Sequence, residues 1–336
     1  MAWEIESRGD DLYLPQIGLW CDARQRTDCS FVSHAHFDHL AAHKKIVTTE
    51  ATRRLMAARL PGKREELVLP FGVAHAWDEA TELRLYPAGH IFGSAMLHLS
   101  REGESLLYTG DFKLRPGLSA EACAPPRADV VVMETTFGLP RYEFPSGEEV
   151  FDSIAAFCRE TLAQGAVPVL FAYSLGKSQE LLCGVSRAGL PVMLHPKTEQ
   201  MTRVFEEAGR ELAPYRAFAA SEAAGHVVIC PPQARSSGWL EKIPRRRTAM
   251  VSGWALDPSA IYRYQCDAVF PLSDHADFHD LLRLVDLTGA KRVLTVHGYA
   301  TEFAATLRER GVEAWALGGD NQLEFSLGRG DKKEAG

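Results

Sequence analysis

The sequence predicts an α/β protein in which a strand-rich core is interrupted by a smaller parallel-sheet unit. Three observations predict it. Through the first 135 residues short apolar strands alternate with turns, and a polar residue capable of chemistry follows strand after strand. At about Pro145 the pattern changes to alternating helices and buried strands, the mark of a parallel sheet. From Thr248 a strand-and-helix pattern resembling the opening part returns.

Segments 11–14, 17–21, 29–33 and 46–49 read as strands, and TTEATRRLMAARL from Thr48 to Leu60 reads as a capped helix stopped by Pro61-Gly62. TELRLYPAGH is expected to end a strand at His90, GESLLYTGD a hairpin strand at Asp111, and ADVVVMETT an apolar strand at Glu134. Strand ends bring distant loops together while the sheet holds them rigid, so this recurrence outweighs any one residue. SGEEVFDSIAAFCRETLAQG then reads as a helix starting at Ser146 or Gly147, VPVLFAY as a buried strand, and SLGKSQELLCGVSRAG as a turn opening into a helix. PVMLH, TEQMTRVFEEAG and HVVICPP continue the alternation. The expected divisions are a core, 1–145, an inserted unit, 146–247, and a returning core, 248–336, with a fraying tail from Gly328.

Composition sets bounds. A chain of 336 residues, 46% apolar and 24% charged, is that of a globular protein able to bury one large core or two moderate ones. Its formal charge is −7, which two divalent ions would reduce to about −3, so net charge does not exclude a polyanionic substrate. Seven cysteines without a CxxC pair fit a reducing compartment. The start lacks a basic region followed by an apolar run, and no 18-residue apolar segment occurs. A cytoplasmic protein with no membrane contact is the expectation.

The strongest chemical signal is His34-Ala35-His36-Phe37-Asp38-His39, placed where the strand CSFVS ends. Three imidazoles and a carboxylate within six residues are ligands suited to zinc and acceptable to manganese or iron. His34 and His36 can share one side of an extended turn, while Asp38 and His39 begin the next element and turn elsewhere, which implies two metals. By type and position His90 joins His34 and His36, and His297, ending the strand RVLTV, joins Asp38 and His39. Asp111 is the natural bridge, because a carboxylate can give one oxygen to each ion, and seven ligands leave room for a shared water. Glycines at 89, 110 and 298 flank these residues and permit close backbone approach.

The HxHxDH stretch resembles the signature of the metallo-β-lactamase superfamily. With the inserted βα unit, SDHAD at 273–277 and VHG at 296–298, the chain resembles the nucleic-acid-processing β-CASP branch, in which Glu134, His275 and His297 match the three branch motifs. PAGHIFGSA, YTGDFK, TTFGLPRY, VLFAYSLGKSQ and LSDHADF extend the resemblance to bacterial ligase-associated DNA exonucleases over nearly the whole chain. The resemblance implies an αββα sandwich with an inserted β-CASP domain, two zinc ions held by His34, His36, Asp38, His39, His90, Asp111 and His297, and manganese as an alternative metal. It implies that Asp22 orients a ligand or water from outside the metal's own set, although Asp22 is also placed to cap a turn. The implied activity is hydrolysis of phosphodiester bonds at DNA ends, 3′ to 5′, through a bridging hydroxide. An ATP-dependent DNA ligase and a helicase are the implied functional partners.

Asp38 and Asp111 are thus counted with the catalytic set. His275 would supply a proton or stabilise charge, and Glu134 would orient it. Alternatively His275 caps the start of ADFHDLLRLV, where Ser273 and Asp274 are better caps. Ser174, Gly176 and Lys177 form a strand-to-helix turn that could offer N–H groups, a hydroxyl and an ammonium to phosphate, or be only a turn. Arg141 and Tyr142 could contact backbone and stack a base, or Arg141 could pair with Glu143. Arg245-Arg246-Arg247 reads either as a phosphate-binding run or as a solvated linker. His279 is expected on the same helix face as His275. An RNA-processing nuclease of the same branch, a small-molecule metallohydrolase and a metal-free scaffold remain as alternatives to the DNA exonuclease.

Overall fold

A computed structural model of the chain describes residues 3–9, 11–257 and 259–317; the tail from Gly328 lies outside them. Two sheets face each other. The first runs in chain order through Glu6–Arg8, Asp11–Leu14, Leu19–Cys21, Cys29–Phe31, Lys45–Thr48 and Glu65–Val68. The second runs Glu313–Ala316, Arg292–Val296, Val130–Glu134, Glu104–Tyr108, Ala95–Arg101, Thr81–Pro87 and His75–Ala76. Strand alternation makes the sandwich. Val130 and Val132 point into a core shared with Leu14, Leu19 and Phe31 of the first sheet, while Val131 and Met133 pack against Phe278, Leu281 and Phe303 outside it. Helices Phe278–Thr288 and Ala300–Glu309 cover that outer face, and Glu50–Arg59 covers the outer face of the first sheet. The layers are therefore helix, sheet, sheet, helix.

The third sheet is entirely parallel, in the order Arg216–Ala217, Val192–Leu194, Val227–Cys230, Val167–Phe171, Arg246–Val251 and Ala268–Phe270. The boundary expected at 247 falls inside Arg246–Val251, and the sheet runs on to Phe270. Buried apolar strands look alike in either sheet, and pairing of Thr248 with Val169 is not visible in one segment's spelling. The helix Gly147–Ala163 starts as expected, with Ser146 and Glu149 forming a reciprocal capping box. Helix Pro196–Glu207 of this unit packs on Glu50–Arg59 of the sandwich through Phe205, Leu55 and Met56. Full burial of Phe205 at this junction is worth about 2 kcal/mol. Among the described residues no helix is long and apolar enough to cross a membrane.

Candidate metal centre

The site forms where strands of both facing sheets end. His34 and His36 follow Cys29–Phe31; His90 and Asp111 follow Thr81–Pro87 and Glu104–Tyr108; His297 follows Arg292–Val296 directly. Two glycines let these loops meet. A Cβ on Gly110, at φ +54°, would lie 2.6 Å from Ser33, and one on Gly298, at φ +58°, would lie 2.5 Å from the Thr135 carbonyl oxygen.

His34, His36, His90 and Asp111 converge. His36 Nδ1 lies 3.1 Å from both His34 Nε2 and His90 Nε2, and Asp111 Oδ2 lies 3.5 Å and 3.8 Å from those two nitrogens. The opposite ring nitrogens fix which atoms carry hydrogen. His36 Nε2 donates to the Leu175 carbonyl at 3.2 Å, and His90 Nδ1 donates to the Asp274 carbonyl at 2.8 Å. The Ser33 hydroxyl gives its own proton to Asp22 at 2.6 Å, so it accepts from His34 Nδ1 at 2.9 Å. Each neutral ring thus turns a lone pair inward. Burial pushes all three imidazoles down, His90 to about 3, with neighbouring imidazoles adding to the effect at His34 and His90. Three lone pairs and a carboxylate oxygen facing one another call for a cation. A tetrahedral zinc with bonds of 2.0–2.1 Å needs neighbouring donors about 3.3 Å apart, and the observed spacings fit it.

Asp38, His39 and His297 make a looser group. His39 Nε2 is 3.3 Å from Asp111 Oδ2 and 3.8 Å from Asp38 Oδ2, while the His39 and His297 rings are 6.1 Å apart. One oxygen, Asp111 Oδ2, therefore faces both groups, where one oxygen for each was expected. Burial opposes a charged His39, but Asp111 and Asp22 hold it well above its usual range. Burial pushes His297 down to about 4. Asp22 sits behind this group. It accepts the Ser33 N–H at 2.7 Å and the Tyr108 hydroxyl at 2.9 Å, and faces His39 Nδ1 at 3.0 Å.

His275 lies beside the first group, its ring 4.6 Å from that of His90. Its Nδ1 is 3.0 Å from both oxygens of Glu134, which also accept the Phe112 N–H and the Thr136 hydroxyl. Burial lowers the charged form, but Glu134 and Asp111 prevail and push His275 up to about 10. It does not cap the helix. Asp277 does, accepting from the Asp280 N–H, and neither Ser273 nor Asp274 serves there. His279 turns away to Glu143, at 2.9 Å, on the surface.

The expected substrate contacts fare differently. Ser174 lines the cleft between the sandwich and the inserted unit. The Gly176 N–H is spent on Gln179 at 2.8 Å, and its missing Cβ makes room for Ile91. Lys177 is buried, its ammonium donating to Asp274 at 2.7 Å and to the Leu272 carbonyl at 3.0 Å. Neither is free for phosphate. Tyr142 is buried among Phe137, Trp254 and Tyr299, so its face cannot stack a base, and Arg141 donates to the Tyr142 and Tyr299 hydroxyls instead of to Glu143. Arg245, Arg246 and Arg247 bond Gln164, Leu240 with Ile243, and Glu160, which ties the basic run to the inserted unit. Sequence reading overlooked Asp274 as a tether. Burial opposes its charge, yet Lys177 and nearby imidazoles hold it well below the usual carboxylate range. The only advance signal was its place beside His275.

A helix-flanked pair of sheets carrying a histidine and carboxylate cluster at its strand ends defines the metallo-hydrolase class. Residues 265–317 match the family described as "Zn-dependent metallo-hydrolase RNA specificity domain". The chain is 59% identical over 329 residues to the "Probable DNA ligase" of Opitutus terrae, covering 97% of this chain and 32% of that one. It is 30% identical over 182 residues to an "RNase J-like protein" of Methanocaldococcus jannaschii, 46% of this chain and 42% of that one. The chain thus spans about a third of the first of these relatives and under half of the second. A solved protein of unknown function from Enterococcus faecalis shares the fold, with a TM-score of 0.56 at 13% identity over 86% of this chain and 78% of that one. The chain resembles the metallo-β-lactamase superfamily in its β-CASP nuclease branch, in keeping with the match over 265–317 and with the nuclease relatives.

Proposed function

We propose that the protein is a metal-dependent DNA exonuclease that hydrolyses phosphodiester bonds at DNA ends in the 3′ to 5′ direction. The observation that carries the hydrolytic reading is Asp111 Oδ2 lying within 3.3–3.8 Å of His34, His39 and His90, one carboxylate oxygen between two ligand groups. His34, His36 and His90 would hold one divalent ion, Asp38, His39 and His297 the other, and Asp111 would bridge them. Zinc suits the ligands, and manganese is an acceptable substitute. When bound, such a pair supplies an activated water and positive charge for the phosphorane-like transition state.

The chain's own groups supply the rest. His275, protonated at neutral pH through Glu134, can donate to the departing oxygen or hold the developing charge. Glu134 fixes its ring by binding Nδ1, so Nε2–H is left for the substrate. Asp22 sets the His39 ring through Nδ1 and the His34 ring through Ser33.

DNA as substrate is supported by the likeness to the protein named a DNA ligase, along most of this chain. That likeness also favours action beside a DNA ligase, and the proposal takes the ligase to be ATP-dependent, with a helicase as a further partner and the cytoplasm as the compartment. A second reading, an RNA nuclease, is favoured by the family description over 265–317 and by the RNase J-like relative. End-labelled single-stranded and duplex DNA, matched RNA, and substrates blocked at either end, incubated with metal-reconstituted protein, test both. Stepwise shortening of DNA from an open 3′ end is expected. Cleavage of RNA alone, or internal cuts in end-blocked DNA, would overturn the exonuclease reading.

A further inference from the structure

Phe37 stands between two proposed ligands, His36 and Asp38, yet it is 62% exposed. The short helical turn Phe37–His39 accounts for its direction, since the neighbours on either side turn toward the metal centre. Single exposed apolar residues are ordinary on protein surfaces. This one lines a cleft of about 680 Å³ that also holds His39, Asp111, His275 and His297.

A second observation concerns its neighbour. The Arg59 guanidinium lies 4.0 Å over the Phe37 ring, at the end of helix Glu50–Arg59, and lines the same cleft. Its Nε is buried without a hydrogen-bond partner among the described residues, and the charge that acts on the guanidinium is that of Asp38. A guanidinium Nε–H buried without an acceptor leaves donor capacity unmet, which costs free energy unless a ligand fills it. Stacking against Phe37 holds its donor plane in one orientation.

We infer that Phe37 and Arg59 form a nucleotide-binding step at the rim of the metal centre, with the Phe37 ring stacking on a base of the strand end and Arg59 taking the adjoining phosphate. This rests on the nucleic-acid reading given above and deepens it. An aromatic face accepts any base, because every base has a π surface, so the step selects for unpaired ends without selecting sequence. A base inside a duplex is already stacked on both sides. An unpaired end presents its base without the cost of opening a pair, so it uses this step most readily. Across the cleft, half-exposed Tyr173 and Trp254 of the inserted unit and its junction supply further aromatic surface.

The test compares single-stranded oligonucleotides with ordinary and abasic 3′ ends. Wild-type protein should favour the base-bearing end by about tenfold in kcat/KM, within the range expected for one stacked base. In Phe37→Ala that preference should shrink to about twofold, and Phe37→Trp should retain it. Fluorescence anisotropy with metal-stripped protein should give the same ordering of affinities, which separates binding from turnover. A preference unchanged in Phe37→Ala, or equal losses on both substrates, would overturn the inference. Absence of DNA cleavage by wild-type protein that still binds base-bearing ends tenfold more tightly would sink the exonuclease reading while upholding this one.

Discussion

At the corner made by His34, His36 and His90, every imidazole has its outer nitrogen held by a neighbour and its inner one aimed at the others. At the corner made by Asp38, His39 and His297, among the described residues His39 alone has a charged partner behind it, Asp22 at 3.0 Å, and the Asp38 side chain is 61% exposed. The first corner spends its ordering entropy when the chain folds; the second must spend part of it when an ion arrives. On the proposed two-ion reading, the two corners should therefore load in sequence, with the closed corner first and the open one regulating activity.

Breaking the shared oxygen tests that comparison most severely. Asp111→Ala is predicted to lower turnover of an oligonucleotide by at least about 10³-fold, because it removes the one group common to both corners. Metal analysis should show fewer than two ions per chain. Full activity with two ions bound would mean that Asp111 is not the bridge. Lys177→Met is predicted to cost about 2–3 kcal/mol in stability, since it removes the charge-assisted bond to Asp274 and leaves that largely buried carboxylate with His275 Nε2, at 3.9 Å, as its remaining ion-pair partner. Thermal unfolding should register the loss, and Asp274→Asn in the same chain should recover most of it. A single variant as stable as the parent would show that the Lys177 tether contributes nothing. Removing a ligand from each corner sharpens the contrast. In a chelator titration followed by metal analysis, His297→Ala should lose only the weakly held ion, whereas His90→Ala should lose the tightly held one.

The clustering of these residues was legible because part of their spacing is local and their chemistry has few other uses. His34 through His39 lie in one stretch, and His90, Asp111, Glu134 and His297 each stand at or just past an apolar strand whose alternation announces it. Strands place such residues at a sheet edge without any knowledge of partners. The turn 174–177 was misread for the opposite reason. Its acceptor Asp274 lies 97 positions away, and its packing partner Ile91 in another unit, so nothing nearby reveals that the Lys177 ammonium is already committed. Tyr142 misled in the same way, since burial by Phe137 and Trp254 depends on contacts across the fold. The 247 boundary failed because a returning strand paired with the inserted sheet before rejoining the core.

The smallest effect discriminates most finely between the corners. Asp22 serves both, through Ser33 to His34 and directly to His39: its Oδ2 meets the Ser33 and Tyr108 hydroxyls and His39 Nδ1, while its Oδ1 is held by the Ser33 N–H. Tyr108→Phe removes one charge-assisted hydrogen bond and leaves the Ser33 link in place. The His34 ring should stay fixed by its Nδ1, while Asp22 gains freedom to swing from His39. Outer hydrogen bonds of this kind commonly govern metal affinity by tenfold or more. The weakly held ion should accordingly bind about tenfold less tightly in Tyr108→Phe, and the tightly held ion within about twofold of the parent, both read by competition with a metal-responsive dye. Equal weakening of both ions would mean that Asp22 acts on the two corners as one rigid brace, and their proposed sequential loading would lose its structural basis.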